Sequence, residues 1–447
     1  MKLRSIIRTA LLASAAAGAL SAAPAGSQES VPASLDLQSA LRFALQNNFA
    51  IREARERIKQ QEGVEIEVRA QEIPQVAATG SYNGNRKEIS QYFPSRSQSW
   101  AIALQARENL YAGGGVSASI RSNRYLREAA VLDLQSVINQ QLLQVRTDFY
   151  SVLLNRQRII VQEENVKLLE EQLKTAQSRF QAGAASNFEV LQAEVALANG
   201  RPPLIQARND YRISIEVLRQ DLGLVTDRGT DMNRMPDFVG TLSVGQPVSY
   251  DLSDALNAAR SKRPEVLRIE KLVASGQQNV KVARSGYLPR LDAVAGYDWS
   301  MGNPTASWND RAQGWTIGVQ GQWNIFDGRA TAGRVAQARS VVNQTRLSLD
   351  QATLGVEVDV RRSYSSLQEA WELVESTGKV VQQAEEALRL ANVRYSAGSA
   401  TQLDVLTSQV ALTQARLNQL SAYYGYNVAL ATLRTAMGEA DTYAGGN

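Results

Sequence analysis

The sequence predicts a mainly α-helical chain that also carries four membrane-type β-strands, written as two copies of one structural repeat. Three observations carry this reading. An amphipathic pattern without proline runs from Val116 to Phe180 and again from Thr331 to Tyr395. Two pairs of short alternating runs precede these stretches, and a shift of 215 residues superimposes the halves without a gap.

In the first long stretch apolar side chains recur at Val145, Phe149, Val152, Ile159, Val166, Leu169, Leu173, Ala176 and Phe180, in steps of three and four. Arg156 and Glu163 interrupt the series. Such spacing is helical, and its length implies a coiled coil, a membrane span or a helical array. Arg156, Arg158, Glu163, Glu164, Lys167, Glu170 and Glu171 exclude the span. At 1.5 Å per residue the helix is roughly 100 Å long, so it crosses or lines something of that depth.

The totals restrict function. The 447 residues contain 44% hydrophobic residues but only 11 prolines and 6% aromatics, which suits extended helical architecture better than compact cores. With no cysteine and no histidine, thiolate, imidazole and Cys/His metal chemistry are absent. An enzyme is not expected, nor any metal or other cofactor. The formal charge is +4, of which Lys2, Arg4 and Arg8 supply three. The near-balanced remainder gives no case for nucleic acid.

Residues 1–25 have the form of a secretory signal peptide: a basic start, an apolar core from Ala10 to Leu20 and a small-residue exit at Ala23-Pro24-Ala25. A membrane anchor is the alternative, but the apolar core is short for a span. No later segment has the 18 uncharged apolar residues of a spanning helix.

The shift pairs Leu37 with Leu252, Pro74 with Pro289, Trp100 with Trp315, Asn109 with Asn324, Gly113 with Gly328, Arg179 with Arg394, Gly183 with Gly398 and Gly223 with Gly438. Residues 34–223 form the first repeat: a helix over 37–70, two strands within 75–111, the long helix 116–180 and a return helix 186–222. Residues 252–438 form the second: a helix over 252–284, strands within 290–326, the long helix 331–395 and a return helix 401–437. Residues 224–251, rich in Gly, Pro, Thr and Asp, link them, and 439–447 are a tail. The shorter helices together match the long one in length. Each long helix is therefore expected beside two shorter ones stacked end to end, with the linker at the level of their junction. Independent helical hairpins are the alternative. Within the first return helix, Gly200-Arg201-Pro202-Pro203 predicts a kink or break.

In the second repeat Leu291, Ala293, Ala295, Tyr297 and Trp299 alternate with polar or small residues, as do Trp315, Ile317, Val319, Trp323 and Ile325. The first repeat keeps Trp100, Ile102 and Leu104 on one side. Runs of about ten residues suit strands that cross a bilayer, and Trp100, Trp299, Trp315 and Trp323 suit an interfacial aromatic belt. A soluble hairpin packed on a helix is the alternative. Four strands cannot close a barrel, and a membrane tolerates no open edge, so several chains are expected to contribute. Residues 83–99 and 301–314, the second including Trp308, suit outer loops.

Both long helices end alike, at Arg179-Phe180-Gln181-Ala182-Gly183 and Arg394-Tyr395-Ser396-Ala397-Gly398, where glycine can adopt the left-handed conformation. A capping-box pattern follows at Ser186-Asn187-Phe188-Glu189 and Thr401-Gln402-Leu403-Asp404. Glu189 and Asp404 either cap these helices or ring a narrow opening, and the two roles can coexist.

Together these residues resemble the TolC family of outer-membrane channel proteins. The resemblance rests on the doubled repeat, the proline-to-strand transitions, Leu110-Tyr111-Ala112-Gly113-Gly114 and Ile325-Phe326-Asp327-Gly328, and the paired Arg-aromatic-x-x-Gly turns followed by an acid; it covers residues 34 to 438. It implies a homotrimer with a twelve-stranded barrel in outer-membrane lipid and an α-barrel of long helices through the periplasm. The chain would then be the passive exit duct of a tripartite efflux pump or type I secretion system. The turns around Arg179, Gly183, Ser186, Arg394, Gly398 and Thr401 would meet a periplasmic adaptor (membrane fusion) protein and, through it, an inner-membrane pump or ABC transporter. Glu189, Tyr395 and Asp404 fall on positions that close the family's tip. Ala400 stands where an arginine can join that closing network, and Thr407 where a second acid can sit. A non-transporting periplasmic coiled-coil scaffold or adaptor is the alternative.

Overall fold

The computed structural model describes residues 34–84, 98–224, 236–301 and 311–439. The expected leader, most of both outer loops with Trp308, part of the linker and the tail from 440 lie outside the described residues. In chain order the elements are β1 (Ser34–Leu35), α1 (Leu37–Asn47), α2 (Phe49–Arg69), β2 (Gln75–Gly84), β3 (Gln98–Ala112), α3 (Gly115–Gln181) and α4 (Asn187–Leu222). They continue as β4 (Asp237–Phe238), α5 (Leu252–Lys262), α6 (Pro264–Ser285), β5 (Arg290–Met301), β6 (Arg311–Gln322), α7 (Ala330–Ser396) and α8 (Gln402–Ala436).

The long helices α3 and α7 have 67 residues each. Near the strands α3 packs between α2 and α6, and toward its far end between α4 and α8; α7 packs beside α6 and then α8. The helices thus follow the order α2-α3-α6-α7 at one end and α4-α3-α8-α7 at the other. The sheet has the order β2-β3-β5-β6, so each strand continues the helix that leads into or out of it.

The first helix of each repeat, expected as one piece, is two. Asn48 is extended (φ −57°, ψ 131°) and its side chain caps α2, accepting from Ile51 N at 3.2 Å and donating to Asp221 O at 2.7 Å. In the second repeat Pro264 opens α6 and holds Arg263 extended, because a residue before proline avoids the helical region. The return helices end against these breaks. Gly223 (φ 71°) and Gly438 (φ 72°) are left-handed; a Cβ on Gly223 would lie 2.3 Å from Asn47 O, and one on Gly438 3.0 Å from the Lys262 carbonyl carbon.

Of the expected kink or break at Pro202 and Pro203, the break does not occur: α4 runs on as one helix from Asn187 to Leu222. Gly200 brings α4 hard against α3, where an added Cβ would lie 2.5 Å from Leu169 Cδ1.

The core is concentrated at mid-height in two clusters, one around Leu41, Val145, Phe149, Leu218 and Phe238, the other around Ala255, Val356, Val360, Tyr426 and Leu433. The linker does more than cross there. Its β4 pairs in parallel with β1, which sets Phe238 edge-on to Phe149 with centroids 6.0 Å apart. Arg156, a gap in the apolar series, donates Nη1 to Phe238 O at 2.9 Å and Nη2 to Gly240 O at 2.7 Å. Glu163, the other gap, accepts from Arg208 Nη2 at 2.7 Å.

β6 ends at Gln322, so Trp323 and Ile325, expected within the strand, lie past it. Its partner β5 begins at Arg290 and offers nothing further to pair with. Trp323 Nε1 donates instead to Tyr287 O at 3.1 Å.

Candidate functional site

Two regions concentrate chemistry: the faces of the sheet, and the turns at the opposite end of the long helices. Cross-strand partners share a face, so the register sorts the residues. Tyr82 faces Trp100, Ile102 faces Trp299, Leu104 faces Tyr297, and Ala295 faces Ile317. With Val319 and Trp315 these make one apolar surface exposed to its surroundings, Trp315 and Ile317 each 74% accessible. The other face carries Thr79, Ser81, Gln105, Asn109, Asp298, Thr316 and Gln320.

Trp100, Trp299 and Trp315 cluster toward the outer end of the apolar face, where the Tyr297 and Trp299 rings meet edge-on at 5.7 Å. Trp323 lies at the helix end. From Trp315 to Trp323 is eight residues, about 26 Å along a strand, the order of the apolar band of an outer-membrane barrel. Among the described residues no helix is long and apolar enough to cross a membrane.

At the far end Gly183 (φ 73°) and Gly398 (φ 76°) are left-handed. The amide of Ala184 donates to Arg179 O and that of Ser399 to Arg394 O, both at 2.8 Å. These bonds close the last turns of α3 and α7 and send the chain back into α4 and α8. The expected capping box is complete only in the second repeat. Thr401 accepts from Asp404 N, while Asp404 Oδ2 accepts from Thr401 N and Oγ1 at 2.8 Å each. These hydrogen bonds hold the Asp404 carboxyl below the usual aspartate range. In the first repeat Ser186 Oγ accepts from Glu189 N at 3.4 Å, but the Glu189 carboxylate goes elsewhere.

It goes to Tyr395. That side chain is 8% exposed, packed with Ala391, Val405, Leu388 and Ala400, and its hydroxyl donates to Glu189 Oε2 at 3.3 Å. Arg179 stacks on the ring with its guanidinium carbon 4.5 Å from the centroid, a contact that spacing along the chain does not signal. The fold therefore gathers Arg179, Glu189 and Tyr395 across the two repeats. Asp404 stays with its own cap, and Arg394 stays within its own turn, reaching Ser399 O at 3.3 Å. Thr407 donates to Leu403 O. Below the tip, Gln409 Nε2 and Thr413 Oγ1 both donate to Asn165 Oδ1, and Arg416 bridges Glu164 and Glu385. These links join α8 to α3 and α7.

The outer membrane efflux protein family model matches residues 40–224 and 255–439. The chain is 25% identical over 412 residues to the outer membrane efflux protein BepC of Brucella suis, covering 90% of this chain and 85% of BepC. It is 24% identical over 374 residues to the outer membrane protein TolC of Vibrio cholerae, covering 82% of each. In fold it is similar to the transmembrane channel protein CusC, with a TM-score of 0.76 at 16% identity over 93% of this chain and 96% of that one. The matched residues comprise both long helices, both return helices and the whole four-stranded sheet; the chain belongs to the outer membrane efflux protein family.

Proposed function

We propose that three copies close a twelve-stranded barrel in the outer membrane and continue as a helical tunnel through the periplasm, forming a passive exit duct for efflux or type I secretion. One observation carries this most directly. Among the described residues the outermost strands β2 and β6 run in opposite directions and have no partners on their outer sides, while one sheet face is mainly apolar. A bilayer leaves no place for an open edge. β6 of one copy has the direction needed to pair antiparallel with β2 of the next, and three copies supply an even strand number. The signal peptide over 1–25 delivers the chain to this compartment.

In this reading Glu189, Tyr395 and Asp404 form the periplasmic gate. The turns around Arg179, Gly183, Ser186, Arg394, Gly398 and Thr401 receive an adaptor that connects to an inner-membrane pump or ABC transporter. Trp100, Trp299, Trp315 and Trp323 sit at the lipid boundaries. The chain has no cysteine, so pairs introduced on β2 and β6 report strand contact cleanly. A covalent trimer in membranes is expected, together with ion conductance of the purified protein in planar bilayers. Monomeric material, or none that conducts even with Glu189→Ala and Tyr395→Phe, overturns the proposal.

A further inference from the structure

We infer that the neck of the duct, where helices give way to strands, carries a ring of guanidinium groups that binds polyanions inside the pore. The inference rests on the duct reading above. Its centre is Asp292, whose side chain is only 5% exposed although it lies on the polar face of the sheet. Each carboxylate oxygen takes one arginine: Oδ2 accepts from Arg107 Nη2 at 2.5 Å, and Oδ1 from Arg290 Nε at 3.1 Å. Both arginine side chains are more than half exposed.

One buried negative charge thus anchors two exposed positive ones. A guanidinium has five N–H donors, and the carboxylate engages one on each arginine. The rest are free of that contact and suit the forked geometry of phosphate or carboxylate oxygens.

The register decides which way this charge points. Arg107 faces Val294, Asp292 faces Asn109 and Gln320, and Arg290 faces Gln322. All lie on the face opposite Ile102, Leu104 and Ile317. With the apolar face on lipid, the polar face lines water. Glu108, the neighbouring acid, faces Ala293 on the apolar side. The next acid on the polar face of β5 is Asp298, about 20 Å farther out. Three copies therefore place six guanidiniums and three carboxylates around the neck, and low-dielectric walls concentrate the resulting field.

A purely structural staple between β3 and β5 would explain the ion pairs equally well, so the test must read ions. Single channels are recorded in a Tyr395→Phe background under a KCl gradient, with inorganic tripolyphosphate added on the barrel side. Arg107→Gln with Arg290→Gln is expected to shift the reversal potential toward cation preference and to weaken tripolyphosphate block about tenfold, the scale of losing one charge-assisted contact. Asp292→Asn, which keeps both arginines, is expected to shift both readouts the opposite way. If the double variant fails to assemble, Arg290→Gln alone and Asp292→Asn decide. Channels whose ion preference and block are unmoved by these changes overturn the ring and leave the duct standing. No conductance from any variant overturns the duct itself and the ring with it.

Discussion

The Tyr395 hydroxyl donates to Glu189 Oε2 at 3.3 Å, tying the turn of the second repeat to that of the first. Burial raises the phenol above its ordinary range, so it remains a donor throughout neutral pH. Tyr395→Phe removes the donor and keeps the ring on which Arg179 stacks. A hydrogen bond to a charged acceptor contributes about 1.5–3 kcal/mol, and the long distance here argues for the lower value. The variant is expected to conduct in a fraction of time about tenfold greater than the parent, the change that about 1.4 kcal/mol produces. Single-channel recording checks this, and equal open fractions would show that the contact does not hold the tip closed.

Two aspartates give opposite pH dependences. Hydrogen bonds from Thr401 lower the Asp404 carboxyl, so its contribution is present above the ordinary value of 3.8 and disappears as pH falls through the lower folded value. Asp221, at mid-height, is pushed up to about 7 by burial and by its hydrogen bond to Asp148. Its favourable state is the protonated one, fully present below 3.8 and lost as pH rises through about 7. Between pH 5 and 8 the contribution of Asp221 to stability is therefore expected to fall while that of Asp404 stays constant. Asp221→Asn is expected to stabilise the protein at pH 8 by about 1 kcal/mol, after discounting for its solvent exposure. Thermal unfolding at pH 5.5 and 8.5 tests this; parallel shifts in parent and variant would mean that the two acids share no proton.

The architecture was legible because its signals average over many residues. A period of 3.6 sustained along α3 survives two interruptions, and the period of two in β5 and β6 survives several glycines. What stayed hidden depends on partners distant in the chain. Arg156 reads as a blemish in an apolar series because its carbonyl partners lie 82 and 84 residues away. The break at Asn48 carries neither proline nor glycine; the side chain that caps the second helix there also donates to the carbonyl of Asp221, 173 residues away. The break at Arg263 was written in Pro264 but masked by the apolar series on either side. At the tip, the turn motif marks Arg179, Glu189 and Tyr395 as neighbours of a turn. Only the fold shows that the first two close on the third.

Arg156 is expected to act as the clasp of the linker. One guanidinium spans the carbonyls of Phe238 and Gly240, and β4 has only two residues with which to hold itself to β1. Arg156→Ala is expected to cost about 2–3 kcal/mol locally, since each bond from a charged donor contributes about 1.5–3 kcal/mol and water replaces part of it. Arg156→Lys is expected to recover little, because an ammonium lacks the planar fork. Hydrogen exchange over residues 236–242 is the readout. Protection unchanged in the alanine variant would place the clasp in β1 and the Phe238 contact instead.

Gly223 and Gly183 separate backbone strain from close packing, because both are left-handed helix ends and only one is crowded. Gly183 (φ 73°) has open space where a Cβ would go, whereas a Cβ on Gly223 (φ 71°) would lie 2.3 Å from Asn47 O and 2.8 Å from the Asn47 carbonyl carbon. Those atoms are backbone and belong to the break between α1 and α2, where Asn48 is already committed to Asp221 O and Ile51 N. They cannot rotate aside as a leucine tip could. Gly183→Ala should therefore cost only the left-handed penalty of about 1–2 kcal/mol, with the turn intact. Gly223→Ala should add a steric cost of similar size or larger and separate α4 from the α1–α2 break, and Gly438→Ala should do so more mildly against Lys262 and Arg263. Denaturant titrations of the three variants order them as Gly183, Gly438, Gly223 from least to most destabilised. Equal losses at all three would mean that the return helices end where they do because of glycine's backbone freedom alone, with no contribution from the breaks they abut.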